Sequence, residues 1–231
     1  MRKKLSGYSA IFRINVTPQN ICMPRAYWSK TFPKSNFKSI FGLKISKLLS
    51  RVKRSVSKRL SHLGYLAGAR EESARSLDRA VPGTILVLCY GNIYRSPFAA
   101  NRLAALLVNT QWAVKSAGFF HKENRSCVND MVELAKSYDV NLEDHRSKKV
   151  STAALDEAEL IVIMDSANRE LLADFSDLAI GKVVWIAAYS NRIRADIQDP
   201  YGLSSRKLNQ IVCQLNDGIE TLASRLKLTN S

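Results

Sequence analysis

The stretch that most constrains this chain runs from Thr84 to Pro97. An unbroken apolar run, Thr84-Ile85-Leu86-Val87-Leu88, leads into Cys89-Tyr90-Gly91-Asn92-Ile93-Tyr94-Arg95-Ser96-Pro97. Continuous, partly β-branched apolar sequence of this length fits a parallel strand covered on both faces. Ser96 is a good N-cap residue, and Pro97 suits the first helical position, where its missing N–H costs nothing. Beyond it, Phe98, Leu103, Leu106 and Leu107 recur at helical spacing. The loop is thus pinned between strand and helix. Its free backbone N–H groups converge at a helix N-terminus of partial positive charge, which suits a phosphate-sized dianion.

Cys89 stands at the mouth of this loop. A thiol is an effective nucleophile only as thiolate, and inward N–H groups, a helix N-terminus and the Arg95 guanidinium all favour that anion. Arg95 also offers a planar fork for two phosphoryl oxygens, which a lysine could not copy. Gly91 permits a sharp bend, and Asn92 is among the few non-glycine residues that tolerate a left-handed conformation. An isolated cysteine at a strand end is usually an inert core residue. The strand before it, the spacing to Arg-Ser-Pro and the helix after it set Cys89 apart. The loop lacks the G-x-x-x-x-G-K-[ST] pattern, so nucleotide hydrolysis is not indicated.

Downstream, apolar strand-like runs alternate with helical periodicity. Trp112–Lys115, Leu160–Met164 and Val183–Ile186 read as strands. A helix capped by Ser126 is expected to carry Val128, Met131, Val132 and Ala135; another starts near Ser166, and a closing helix carries Leu208, Ile211, Val212, Leu215 and Ile219. This order predicts an α/β fold, a four-stranded parallel doubly wound sheet with helices on both faces and its site at the carboxyl ends of the strands. Cys22, Cys89, Cys127 and Cys213 show no metal-ligand or C-x-x-C spacing, the pattern of reduced thiols, and Cys213 is expected to pack on the apolar face of the closing helix.

Charge divides the chain. Residues 1–80 hold 18 Lys and Arg against Glu71, Glu72 and Asp78, so the whole net charge of +15 sits there and residues 81–231 balance. Between 40 and 63, apolar residues recur at helical spacing with Lys and Arg on the other faces, which predicts a basic amphipathic helix. Such a helix could dock on an acidic partner, bind an anionic membrane surface or belong to an organellar transit segment. No nucleic-acid reader motif is present, so nucleic acid is not expected. Residues 64–80 read as a linker or short helix into a domain spanning 81–231.

Cys89-Tyr90-Gly91-Asn92-Ile93-Tyr94-Arg95-Ser96-Pro97 resembles the signature loop of the low-molecular-weight protein tyrosine phosphatases. Ser116-Ala117-Gly118, His145-Arg146, Met164-Asp165-Ser166-Ala167-Asn168 and Asp199-Pro200-Tyr201 resemble further family segments in the same order. The resemblance implies phosphotyrosine hydrolysis through a cysteinyl-phosphate intermediate. Cys89 would be the nucleophile, Arg95 the clamp and Asp199 the acid and then base. Tyr90, Gly91, Asn92, Ile93, Tyr94, Ser96 and Tyr201 would meet substrate, with Ser96 bonded to the Cys89 sulfur; Ser116 and His145 would support the loop together with Asn92. It implies no metal and no cofactor. It also implies a phosphotyrosine protein as partner, a tyrosine kinase among the candidates. The reduced-thiol pattern points to a cytoplasmic protein, peripheral at the membrane if the basic extension binds lipid.

Read from the residues alone, Asp199-Pro200 is a turn signal, and Asp196 is a rival acid. Tyr94 stands where relatives often carry a second cysteine, and Asp139 where they commonly have a helix-ending glycine. Three other readings stay open. Arsenate reduction would need relay cysteines in a close pair; arginine-phosphate hydrolysis occurs in relatives that tend to have threonine at the position of Ile93; and a phosphotyrosine-binding module would lack turnover.

Overall fold

The computed structural model describes residues 64–191 and 195–228, so the amphipathic helix expected over 40–63 lies outside the described residues. Helix α1 runs through 64–79. It is followed by β1 (Thr84–Cys89), α2 (Arg95–Leu106), β2 (Ala113–Gly118), α3 (Asn129–Lys136), α4 (Thr152–Glu157), β3 (Ala158–Ile163), α5 (Ser166–Ala173), α6 (Asp177–Ile180), β4 (Val183–Trp185), a 3-10 turn at Ile186–Tyr189, and α7 (Ser205–Leu228). No helix among the described residues is long and apolar enough to cross a membrane.

The four strands form one sheet in the order β2-β1-β3-β4, with every pairing parallel. This is the doubly wound α/β sheet expected from the alternation of strands and helices. Side chains alternate across the central strand β1. Ile85, Val87 and Cys89 face one buried cluster with α2, α3 and α7; Leu86 and Leu88 face another that includes Leu155 of α4, Leu172 of α5 and Ala179 of α6. Two covered faces explain why the central strands read as continuous apolar runs. The carboxyl end of β1 is therefore fixed from both sides, and Cys89 is its last residue.

Several local expectations are corrected. Helix α2 begins at Arg95 with Tyr94 before it and no side-chain cap, so Ser96 sits inside the first turn and not at the N-cap. Its hydroxyl is engaged elsewhere, and Pro97 is still tolerated because N–H groups in the first turn have no intrahelical partner. Helix α3 starts at Asn129 after Val128, without a cap from Ser126. Cys213 is exposed. The buried stripe of α7 runs through Leu208, Ile211, Val212, Leu215, Ile219 and Leu222, and residue 213 lies one step of about 100° beyond it. Asn92 and Asp139 do adopt left-handed conformations, at φ 50° and 57°, whereas Gly91 does not.

Of the two readings of residues 64–80, linker or short helix, the structure shows the helix, over 64–79, and packs it on the sheet. Leu66 and Ala69 join the cluster beneath β3 and β4, and Ser73 is wholly buried. The Trp185 N–H, on the free edge of β4, donates to Ser73 Oγ at 2.9 Å, and Ser73 in turn donates to Ala69 O at 2.7 Å. Ser76 and Arg79 donate to Gly181 O, two residues before the same strand. Helix α1 thus covers a sheet edge that would otherwise present unpaired backbone groups.

Ser73→Ala would strand a buried backbone N–H, which costs about 1–3 kcal/mol. A lowered urea midpoint with an unchanged slope is expected. An unchanged midpoint would mean that α1 does not seal this edge.

Candidate active site

The loop after β1 is built outward from the Cys89 sulfur. Asn92 N donates to Cys89 Sγ at 3.2 Å, and Ser96 Oγ lies 3.0 Å from the same sulfur. Three successive loop carbonyls are held on the opposite side. Tyr90 O accepts from Phe120 N at 2.9 Å, Gly91 O from the Arg125 guanidinium, and Asn92 O from His145 Nε2 at 2.9 Å. In a trans peptide the C=O and N–H point in opposite directions, so tying the carbonyls outward turns their partner amides inward, and that of Asn92 reaches the sulfur.

Asn92 carries much of this shape. Its Nδ2 donates to Ser96 Oγ at 2.9 Å and to Ser116 Oγ at 3.1 Å, while its Oδ1 accepts from Lys148 N at 2.8 Å. Gly118 completes the fit from β2. A side chain there would stand 2.8 Å from Tyr90 O and 2.9 Å from Asn92 N, too close for the loop to keep its path. Ser116, Gly118 and His145 therefore meet the loop from segments distant in sequence.

Arg95 is 3% exposed and faces two carboxylates. Its NH1 donates to Asp165 Oδ2 at 2.5 Å and to Ile197 O at 2.8 Å, and its NH2 donates to Asp199 Oδ2 at 2.8 Å. Burial works against the guanidinium's charge, but Cys89, Asp165 and Asp199 outweigh it and push its pKa up, so the cation is held firmly. Asp165 caps α5 through Asn168 N at 2.8 Å, which fixes its second oxygen on Arg95. Asp196, the rival acid, does not line the cleft; its Oδ1 accepts from Ser166 N at 3.0 Å.

These groups share one cleft of about 560 Å³, with Cys89 and Arg95 in its lining and Asp199 beside them. Tyr90, Tyr94, Phe120 and Tyr201 supply aromatic walls, and Gly91, Ile93 and Arg125 complete it. Asn92 and Ser96, expected to meet substrate, are fully buried and hold the loop from behind. Phe120 and Arg125 were not singled out from the sequence, and Asp165 entered only within a resembling segment, with no role assigned to it. Arg125 lies over the Phe120 ring at 4.5 Å, and Tyr90 packs against the same ring at 5.7 Å. Cys127 is buried, and its thiol is pushed up to about 12, first by burial and then by nearby Cys89; Cys213 lies on the outer face of α7.

Residues 84–231 match the family model described as low molecular weight phosphotyrosine protein phosphatase. The chain is 29% identical over 117 residues to the low molecular weight protein-tyrosine-phosphatase Wzb of Salmonella typhimurium, a match covering 51% of this chain and 76% of that protein. It is 30% identical over 149 residues to a protein-arginine-phosphatase of Geobacillus stearothermophilus, covering 63% and 95%. Among solved structures, Vibrio vulnificus Wzb in complex with benzylphosphonate superposes with a TM-score of 0.56 at 28% identity, covering 63% of this chain and all of that one.

His145 ties this site to pH. Burial lowers its pKa against the favourable bond to the Asn92 carbonyl, and Lys148 and Arg146 lower it further. At pH 7 the imidazole is mostly neutral in both the folded and unfolded chain. Below about 6.5 the unfolded chain takes up a proton that the folded chain refuses until lower pH, so stability falls as pH drops through that window. Urea midpoints measured between about pH 7 and about pH 5.5 are expected to fall less steeply for His145→Gln than for the parent chain. Equal slopes would contradict this.

Proposed function

Because this chain belongs to the low molecular weight phosphotyrosine protein phosphatase family, we propose that it is a protein tyrosine phosphatase working through a cysteinyl-phosphate intermediate. The observation that carries the reading is the convergence of the Cys89 sulfur, the Arg95 guanidinium and the Asp199 carboxyl on one cleft.

The Cys89 thiolate attacks phosphorus in line, forming the S–P bond as the P–O bond to the phenol breaks. Asp199 gives its proton to the departing oxygen. The loop amides and Arg95 take up the charge on the equatorial oxygens. Asp199, now a carboxylate, then removes a proton from a water that attacks the phosphocysteine, which releases inorganic phosphate and restores the thiolate. Asp199 occupies one side of the guanidinium and Asp165 the other. An arriving phosphoryl group would displace Asp199 toward the leaving oxygen while Asp165 keeps hold of NH1.

The leaving group is read from the walls. Four aromatic side chains around the cleft suit a flat phenyl ring. Ile93 adds an apolar contact and offers no hydrogen bond to a phosphorylated guanidinium. Phosphotyrosine is thus favoured over phosphoarginine despite the arginine phosphatase among the relatives. Among the described residues, a buried Cys127 and an outward Cys213 supply no relay pair for arsenate reduction. On this reading the partner is a phosphotyrosine protein, a tyrosine kinase among the candidates, met in the cytoplasm. Attachment of residues 40–63 to anionic lipid or an acidic partner would govern where the enzyme works and not its chemistry.

Hydrolysis of phenyl phosphate and of phosphotyrosine and phosphoarginine peptides tests the reading. The parent chain is expected to prefer the phenolic esters, with vanadate inhibiting. Cys89→Ser should lose at least ~10³-fold in kcat. Asp199→Ala should lose ~10²-fold or more on phenyl phosphate yet bind phosphate at least as tightly, since it frees Arg95. Undiminished turnover in Cys89→Ser would overturn the mechanism, and preference for phosphoarginine would overturn the substrate.

A further inference from the structure

We propose that helix α1, which lies ahead of the family-matched residues 84–231, belongs to the catalytic apparatus: through Tyr65 and Glu72 it positions the two carboxylates that face Arg95. The inference rests on Asp199 being the acid, as argued above.

Two routes lead from α1 to the site. The first runs through the acid loop. Tyr65 OH donates a long hydrogen bond, 3.5 Å, to Asp196 Oδ1, which also accepts from Ser166 N at 3.0 Å. Asp196 stands three residues before Asp199. The intervening segment is tethered where Ile197 N donates to Met164 O at 2.7 Å and Ile197 O accepts from Arg95 at 2.8 Å. The Tyr65 ring meets Trp185 edge-on at 5.4 Å, which aims its hydroxyl. Desolvation, with Asp196 and Asp165 nearby, pushes that phenol up to about 12, so it stays a donor.

The second route runs through α5. Glu72 Oε1 accepts from Arg169 Nε at 3.0 Å and pairs with its NH2 at 2.9 Å, while Oε2 accepts from Trp185 Nε1 at 2.5 Å. Arg169 lies one turn into α5, and its backbone N–H donates to Asp165 O at 3.2 Å. Asp165 holds Arg95. Glu72 thereby fixes the helix whose cap orients the guanidinium.

Leu66, Ala69, Ser73, Ser76 and Arg79 cover the edge of β4. Tyr65 and Glu72 touch that strand at Trp185 and in addition reach the segments that carry Asp199 and Asp165. Neither touches the cleft, so both are positioning residues. Proton delivery to a leaving oxygen depends steeply on placement, and a shift near 1 Å can cost ~10²-fold.

The test uses the full chain and two esters. Phenyl phosphate releases a basic phenolate that needs a proton from Asp199; 2,4-dinitrophenyl phosphate releases a weakly basic one that does not. For Tyr65→Phe, which acts on the acid loop, kcat/KM on phenyl phosphate is expected to fall ~3-fold or more, with the dinitrophenyl ester within ~2-fold of the parent. For Glu72→Gln, which acts on the Arg95 clamp through α5, kcat/KM is expected to fall on both esters alike, with inorganic phosphate inhibiting more weakly. Should Glu72→Gln not fold, Tyr65→Phe alone carries the test. Equal loss on both esters in Tyr65→Phe, or no loss in either variant, would reduce α1 to a structural cover and overturn the proposal. A parent chain inert on both esters would overturn the phosphatase reading and this one with it, whereas an active parent with a flat variant profile overturns this one alone.

Discussion

On the proposed mechanism, a sulfur atom at the end of a buried strand must be kept reactive while walled in by protein, and most of the site follows from that demand. Its nearest donors are a backbone amide and a hydroxyl. An amide can point inward only if its peptide carbonyl is held outward, and the donors that hold those carbonyls come from beyond the loop: Phe120 N, Arg125 and His145. The loop's shape is therefore a tertiary property. The sheet supplies the rigid frame, since β1 lies between β2 and β3 and is covered on both faces.

Charge is handled in the same nested way. The Arg95 guanidinium is almost fully buried, a position that is costly for a cation unless it is paired. Asp165 and Asp199 pair with it, but they are not equivalent. Asp165 is locked as the cap of α5, while Asp199 sits in an exposed loop with its side chain 46% exposed. One carboxylate is capped and mostly buried, and the other is open to solvent. That asymmetry makes a single cleft suitable for holding an anion and then protonating what leaves it.

Much of this was legible in the sequence because the chemistry is local. The strand, Cys89, Arg95 and the start of α2 fall within a dozen residues, and the left-handed Asn92 follows from its side-chain type. The segments around Ser116, His145, Asp165 and Asp199 were found through resemblance; no periodicity in them announced that they would converge. Arg125 and Phe120 were missed because their roles depend on how the chain after β2 folds back over the loop. Ser96 was misread as a cap because a serine before a proline gives the same local signal whether its hydroxyl faces the helix or a neighbouring sulfur. Cys213 was misplaced because apolar neighbours in sequence do not share a helix face. The seat of α1 was hidden for another reason: Leu66, Ala69 and Ser73 are too few and too small to advertise a buried stripe, yet Ser73 meets the edge N–H of Trp185.

The account stands on phosphorus passing through one sulfur. Rapid acid quench during turnover of a phenyl phosphate ester, followed by mass spectrometry of the digested protein, reads that directly. The account predicts a phosphoryl adduct on the peptide carrying Cys89 and on no other. Turnover that proceeds with no such adduct on any peptide, or with the phosphoryl group on a different residue, would contradict it.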